Sequence, residues 1–156
     1  REACVLTGAA EDFAPWFSDK TRAVTNIRNR KVDNFIRFQG VFPEYQFVWF
    51  GDSGEGDIDF AIEINRDLPG GLLTSMIHDV LDAATGAPKT DSDMRRKLLN
   101  GGIFVFDTYV GAAVHCFQKG LLDGASVASV ISDAKRGLEE MDWVGMERTR
   151  RDRISE

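Results

Sequence analysis

The sequence predicts an α/β fold with a mostly parallel sheet, and three observations carry that expectation. Apolar runs of strand length stand at residues 3–7, 47–50 and 72–80, each bounded by glycine, proline or polar turn residues. Between them lie stretches whose apolar residues recur at helical spacing, so strands and helices alternate along the chain. The last third reads as one more strand followed by a C-terminal helical hairpin.

Taken in order, residues 3–7 form a short central strand closed by Gly8. The chain begins at Arg1, so close to this strand that an upstream segment, cleaved, trimmed or supplied separately, is expected. Phe13, Trp16 and Phe17, around Pro15, are loop aromatics expected to pack onto the domain. Ser18 and Asp19 cap a helix running to about Gln39. Val24, Ile27, Phe35 and Phe38 give its apolar stripe, widened by Val32 and Ile36. Gly40 and Pro43 end it before the strand at 47–50. A helix at 57–67 is closed by Pro69-Gly70-Gly71, and residues 72–80 make the next strand, ending His78-Asp79.

Residues 81–100 show no apolar period and read as a loop or insertion. A strand at 103–106 follows, then helices at 107–119 and 124–141, the second with Val127, Val130, Ile131, Ala134 and Leu138 on one side. His115, alone on the first, is expected to be a core histidine. Residues 1–145 are read as one domain: a motif-bearing part at 1–80, the loop or insertion at 81–100, and the strand and hairpin at 101–145. The tail at 146–156 carries Arg148, Arg150, Arg151 and Arg153, and reads as a solvated end or a docking strip for a protein partner.

At 156 residues the chain is long enough for a real core. Its net charge of −6 excludes nucleic acid as the main partner. Cys4 and Cys116 sit inside apolar runs without metal-type spacing, so both read as core thiols. A reducing interior, cytoplasmic or organellar, is the compartment expected, rather than secretion. No run reaches the roughly 18 apolar residues of a membrane span, and no secretory signal is visible.

Functional residues of parallel sheets collect at the carboxyl ends of strands. There the sequence places Thr7 and Asp52, with His78 and Asp79 as further candidates. The most informative run is Phe47-Val48-Trp49-Phe50-Gly51-Asp52-Ser53-Gly54-Glu55-Gly56-Asp57. A buried strand carries Asp52 to the sheet edge, and a glycine-rich loop returns Asp57 towards it. Two carboxylates on so short a leash, with Ser53 between, suit a hard cation such as Mg²⁺, which takes oxygen ligands and keeps several waters. The glycines let the backbone come close and leave amides pointing at an anion. An ordinary strand-to-helix turn uses the same residue types, and the loop alone leaves both readings open. A calcium loop of EF-hand type is set aside, because Gly54 and Gly56 stand where ligands belong. Lys31, four residues from both Ile27 and Phe35, points to the buried side of its helix. Spacing alone favours an ammonium that snorkels to the surface.

Together, Lys31, Phe42-Pro43, the strand at 47–50, Gly51-Asp52-Ser53-Gly54 and Asp57 resemble the haloacid-dehalogenase-like phosphatases. Within that superfamily the set looks most like the catalytic domain of the fungal actin-patch-associated phosphatidate phosphatases and their bacterial and algal relatives. The likeness spans roughly residues 3–80 and continues through Leu68-Pro69-Gly70 and Ile77-His78-Asp79-Val80, where the family often has arginine in place of His78. It implies a Rossmann-like three-layer haloacid-dehalogenase-type domain and Mg²⁺-dependent hydrolysis of a phosphomonoester through an aspartyl-phosphate. By that resemblance Asp52 and Asp57 hold Mg²⁺, Lys31 pairs with phosphate and nucleophile, and Thr7, Gly8 and Ser53 contact the phosphate. The partner implied is a phosphorylated small molecule or a lipid headgroup, phosphatidate among them. Lys31 then faces an anion instead of snorkelling.

In the family the nucleophile lies in an Asp-x-Asp-x-Thr segment ahead of the threonine strand. This sequence has no such segment, and only six residues precede Thr7. The run Phe104-Val105-Phe106-Asp107-Thr108 also leads into Asp-Thr, but Tyr109 stands where a second aspartate belongs. Three functions are therefore compatible with the sequence. The first is a phosphatase-type domain completed by an upstream segment. The second is a non-catalytic subunit with a scaffold or assembly role, and the third a regulatory domain that only binds phosphate or a cation.

Overall fold

Asp19 caps the first helix, α1 (Lys20–Val41), accepting a hydrogen bond from the Arg22 N–H at 3.0 Å. The computed structural model describes residues 15, 18–54, 56–82 and 85–141. The expected strand at 3–7, the aromatics Phe13, Trp16 and Phe17, and the arginine tail lie outside them. Of the expected stripe, helix α1 buries Ile27, Val32 and Phe35 and half-buries Val24 and Phe38; Ala23 is buried as well, and Ile36 faces outward, 47% exposed. The helix also runs through Gly40, which was expected to end it. The Phe42 N–H still reaches the Phe38 carbonyl at 3.1 Å, and the two rings pack at 4.8 Å. That local contact outweighs the weak helix propensity of one glycine.

A strict alternation follows: β1 (Phe47–Asp52), α2 (Asp57–Asp67), β2 (Leu72–His78), α3 (Ser92–Asn100) and β3 (Ile103–Phe106). The strands form one parallel sheet in the order β1-β2-β3, so the α/β, parallel-sheet expectation holds for the described residues. One core gathers Val32 and Phe35 of α1, Phe60, Ala61 and Ile64 of α2 and Leu98 of α3 against Ile77, Ile103 and Val105 of the strands. Phe60 is fully buried; its ring lies 4.0 Å from Trp49 and edge-on to Phe35 at 5.8 Å. No described helix is long and apolar enough to cross a membrane.

Two expectations are corrected. The stretch 81–100, read as loop or insertion, contains helix α3, whose first turn is fixed by the Asp91 carboxylate on the Met94 N–H at 2.7 Å. Only Leu98 of this helix is buried, so it carries no apolar stripe to be read. Strand β2 ends at His78 and not at Val80, because the Val80 N–H turns to the Ser53 hydroxyl at 2.9 Å.

The chain divides into two units, Arg1–Asp107 and Thr108–Glu156. Within the second, Thr108 caps α4 (Tyr109–Gln118) and Asp123 caps α5 (Gly124–Glu140), and the two helices pack as the expected hairpin. Helix α4 buries Ala112, Ala113, His115 and Cys116; burial pushes the His115 imidazole down and the Cys116 thiol up from their ordinary pKa ranges. On α5, Val127, Val130, Ala134 and Leu138 are half-buried, while Ile131 is exposed and drops out of the expected stripe.

Candidate functional site

Register brings the site together. Asp52, His78 and Phe106 are aligned partners at the carboxyl ends of β1, β2 and β3. The residues that follow them, Ser53, Asp79 and Asp107, therefore stand along one edge of the sheet, although 26 residues separate the first two.

At the end of β1 the short leash works as its spacing predicts. Asp57 opens α2 and turns back over the strand: its Oδ2 accepts the Asp52 N–H at 3.0 Å, and its Oδ1 accepts the Lys31 Nζ at 2.5 Å. The lysine side chain is 28% exposed and that of Asp57 only 9%, so Lys31 turns its ammonium to a buried carboxylate rather than out to bulk water. A carboxylate in the first turn of a helix also gains from the helix dipole. Gly51 is required beneath this contact, since a methyl group there would stand 2.5 Å from the Asp57 Cβ. Gly54 is required by a similar approach: its N–H donates to the Asp52 Oδ1 at 2.6 Å, and a Cβ would stand 2.8 Å from that oxygen. The other Asp52 oxygen has no hydrogen-bond partner among the described residues.

A second constellation fixes the same loop from the side of β2. The Ser53 hydroxyl donates to Asp79 Oδ1 at 2.8 Å and accepts the Val80 N–H, so its proton is committed within the protein. The Asp79 side chain is completely buried, and its Oδ2 accepts the Thr90 hydroxyl, the Thr90 N–H at 3.2 Å and the Arg95 guanidinium at 2.7 Å. Burial works against the ionised Asp79, but the hydrogen bonds from Thr90, Arg95 and Ser53 outweigh it and hold the carboxyl below its usual range. Arg95 also grips both oxygens of Asp107, at 2.8 and 2.5 Å, and donates from Nε to Thr90 at 3.0 Å. The Asp107 hydrogen bonds are the largest reason the guanidinium is held more basic than usual. Asp107 is thus engaged by a two-pronged ion pair, an arrangement that favours an anchoring part over a nucleophile.

Of the residues singled out in the sequence, the fold brings Lys31, Asp52, Ser53 and Asp57 to one edge, with Asp79 beside them. His78 stacks on the Phe106 ring at 5.3 Å. Thr7 and Gly8 lie outside the described residues. Sequence reasoning missed Thr90 and Arg95, which belong to the stretch read as a loop. A readable signal existed only for the neighbouring Asp91, a helix N-cap three residues before Met94.

Among the described residues no group of three or more histidine, cysteine or acidic side chains is placed to hold a metal ion. Mg²⁺ needs less, because one or two carboxylates with water and phosphate oxygens complete its shell. The open oxygen of Asp52, held at a sheet edge by the Gly54 amide, fits that demand. Asp57 fits it more narrowly, since each of its oxygens already accepts a hydrogen bond. Comparison with known protein families, curated proteins and solved structures returns no match.

Proposed function

We propose that this chain carries the metal- and phosphate-binding half of a Mg²⁺-dependent phosphatase-type site on a Rossmann-like domain of the haloacid-dehalogenase type. The observation that supports this reading is the chain of contacts from Lys31 through Asp57 to Asp52, which ends in a carboxylate oxygen with no hydrogen-bond partner among the described residues. An ordinary strand-to-helix turn has no need of a lysine drawn from another helix onto the carboxylate that caps the strand.

On this reading Asp52 is the direct metal ligand. Asp57 keeps Asp52 in place through its backbone amide and joins the metal shell through its remaining lone pairs or a bound water. The ion would neutralise charge on a transferring phosphoryl group. Lys31 supplies positive charge beside it, and Asp57 holds that ammonium against the sheet edge. Ser53, anchored on Asp79, keeps the loop from opening. The partner would be a phosphorylated small molecule or a lipid headgroup. A second reading, a non-catalytic subunit with a scaffold or assembly role, is favoured by the lack of any Asp-x-Asp-x-Thr segment in the sequence.

The test is the melting temperature of the purified chain in Mg²⁺ and in EDTA, with hydrolysis of p-nitrophenyl phosphate measured beside it. Mg²⁺ at a hundredfold excess over its Kd stabilises by about 2.7 kcal/mol, so wild type is expected to melt several degrees higher. Asp52→Asn is expected to lose that response. Turnover lost with Asp52→Asn supports an enzyme, and a Mg²⁺ response without turnover supports the non-catalytic reading. A wild-type chain indifferent to Mg²⁺ overturns the proposal.

A further inference from the structure

The connection between β2 and α3 does more than cross the edge of the sheet. Leu81 and Pro88 pair in an antiparallel bridge, backed by hydrogen bonds from the Asp82 N–H to the Ala87 carbonyl at 2.8 Å and from the Gly86 N–H to the Asp82 carbonyl at 2.7 Å. The Asp82 carboxylate accepts the Thr85 N–H at 2.9 Å, which closes the turn. Two residues further on, Thr90 is buried on Asp79, through both its N–H and its hydroxyl. Lys89 stands between these two anchors, so its backbone has little freedom.

Its side chain is exposed and carries no hydrogen bond or ion pair with the described residues, although the surrounding edge holds Asp52, Asp57, Asp79 and Asp107. The ammonium lies at the glycine loop: a methyl built on Gly54 would stand 3.4 Å from the Lys89 Nζ. Gly54 is also the residue whose amide holds Asp52. A cation at the loop that holds Asp52, on a backbone pinned at both sides and paired with none of the described acids, is placed to meet an incoming anion. Lys31 and Arg95 differ in this respect, because their charges are engaged by Asp57, and by Asp79 and Asp107.

We propose that Lys89 is an anion-binding residue of the Asp52 site, which contacts the phosphoryl group of the ligand across the loop from Lys31. The proposal rests on the phosphatase-type reading and deepens it, because it assigns the far wall of the phosphate site to the β2–α3 connection. Its chemistry is that of a compact, hydrated point charge, suited to a phosphoryl dianion without demanding one orientation. Inorganic phosphate, a phosphorylated small molecule and a phosphatidate headgroup share that chemistry.

The experiment titrates the full chain in Mg²⁺ with inorganic phosphate, and separately with phosphatidylcholine vesicles with and without phosphatidate. The variants are Lys89→Gln, Lys89→Arg, Asp52→Asn and, as a charge control, Lys135→Gln on the exposed side of α5. Lys89→Gln is expected to melt with wild type, still take up Mg²⁺, and bind phosphate about fivefold more weakly, the upper end for an exposed ion pair. Lys89→Arg is expected to restore the affinity, and the difference to shrink at high salt. A Lys89-dependent gain on phosphatidate vesicles would assign the lipid source, and dependence on inorganic phosphate alone a soluble one; both support the role of Lys89. Unchanged phosphate affinity in Lys89→Gln, with Mg²⁺ uptake lost in Asp52→Asn, overturns the role of Lys89 and leaves the phosphatase-type reading standing. An equal loss in Lys135→Gln assigns the effect to net charge and also overturns it. A wild-type chain that binds neither Mg²⁺ nor phosphate overturns both.

Discussion

Asp79 is the residue on which the sheet edge converges. Its buried carboxylate ties Ser53 after β1, Thr90 and Arg95 around α3, and through Arg95 the Asp107 that follows β3. A carboxyl held below its usual range in the folded protein and ordinary in the unfolded chain binds protons more weakly when folded. Its stabilisation is therefore complete above the ordinary carboxylate pKa of about 4 and is lost as pH falls through the lower folded value. Replacing Asp79 with Asn at neutral pH is expected to cost about 2–3 kcal/mol, since buried donors lose a charged partner. A melting curve taken from pH 7 to pH 2 checks both points: wild type starts higher and falls more steeply below pH 4 than the Asn variant, whereas parallel profiles would contradict the network. At this scale the sequence was uneven as a guide. Asp52, Ser53 and Asp57 were legible because they are near neighbours in the chain and their loop chemistry is local. Asp79 meets Arg95 and Thr90 across 16 and 11 residues, and nothing short of the fold relates them.

At the scale of elements, the site is only as firm as the packing of α1 and α2 on β1. Two ion pairs join the helices, Lys31 with Asp57 and Arg28 with Glu63 at 2.7 Å, but both are partly exposed and so contribute modestly. The aromatic cluster contributes more. Phe60 sits between Phe35 and Trp49 with no exposure, and Phe35 meets Phe47 edge-on at 5.5 Å. Phe60→Ala is expected to destabilise the first unit by about 3–5 kcal/mol, measured by urea unfolding. A loss below 1 kcal/mol would mean that this cluster does not hold the helix under the site. Helices α1 and α2 were readable in the sequence because each shows a buried stripe. Helix α3 was not, because one buried leucine makes no stripe, and its capping aspartate is a weaker signal than periodicity.

For the whole molecule, the alternation of strand and helix was the legible part, and it is what places the strand ends side by side. A parallel sheet whose neighbours are also consecutive in the chain aligns every carboxyl end on one edge. The sequence therefore pointed to the sheet edge where Lys31, Asp52, Ser53 and Asp57 meet, but not to the side chains that brace it. A divalent-cation site at the end of β1 is tested most directly by titrating Mn²⁺ in place of Mg²⁺ into the ¹⁵N-labelled chain. Paramagnetic broadening is expected first at the amides of Gly51, Asp52, Ser53 and Gly54, then at Val80, with the β1 effect lost in Asp52→Asn. Broadening that begins at exposed acids of the hairpin while Gly51 to Gly54 stay sharp would contradict it.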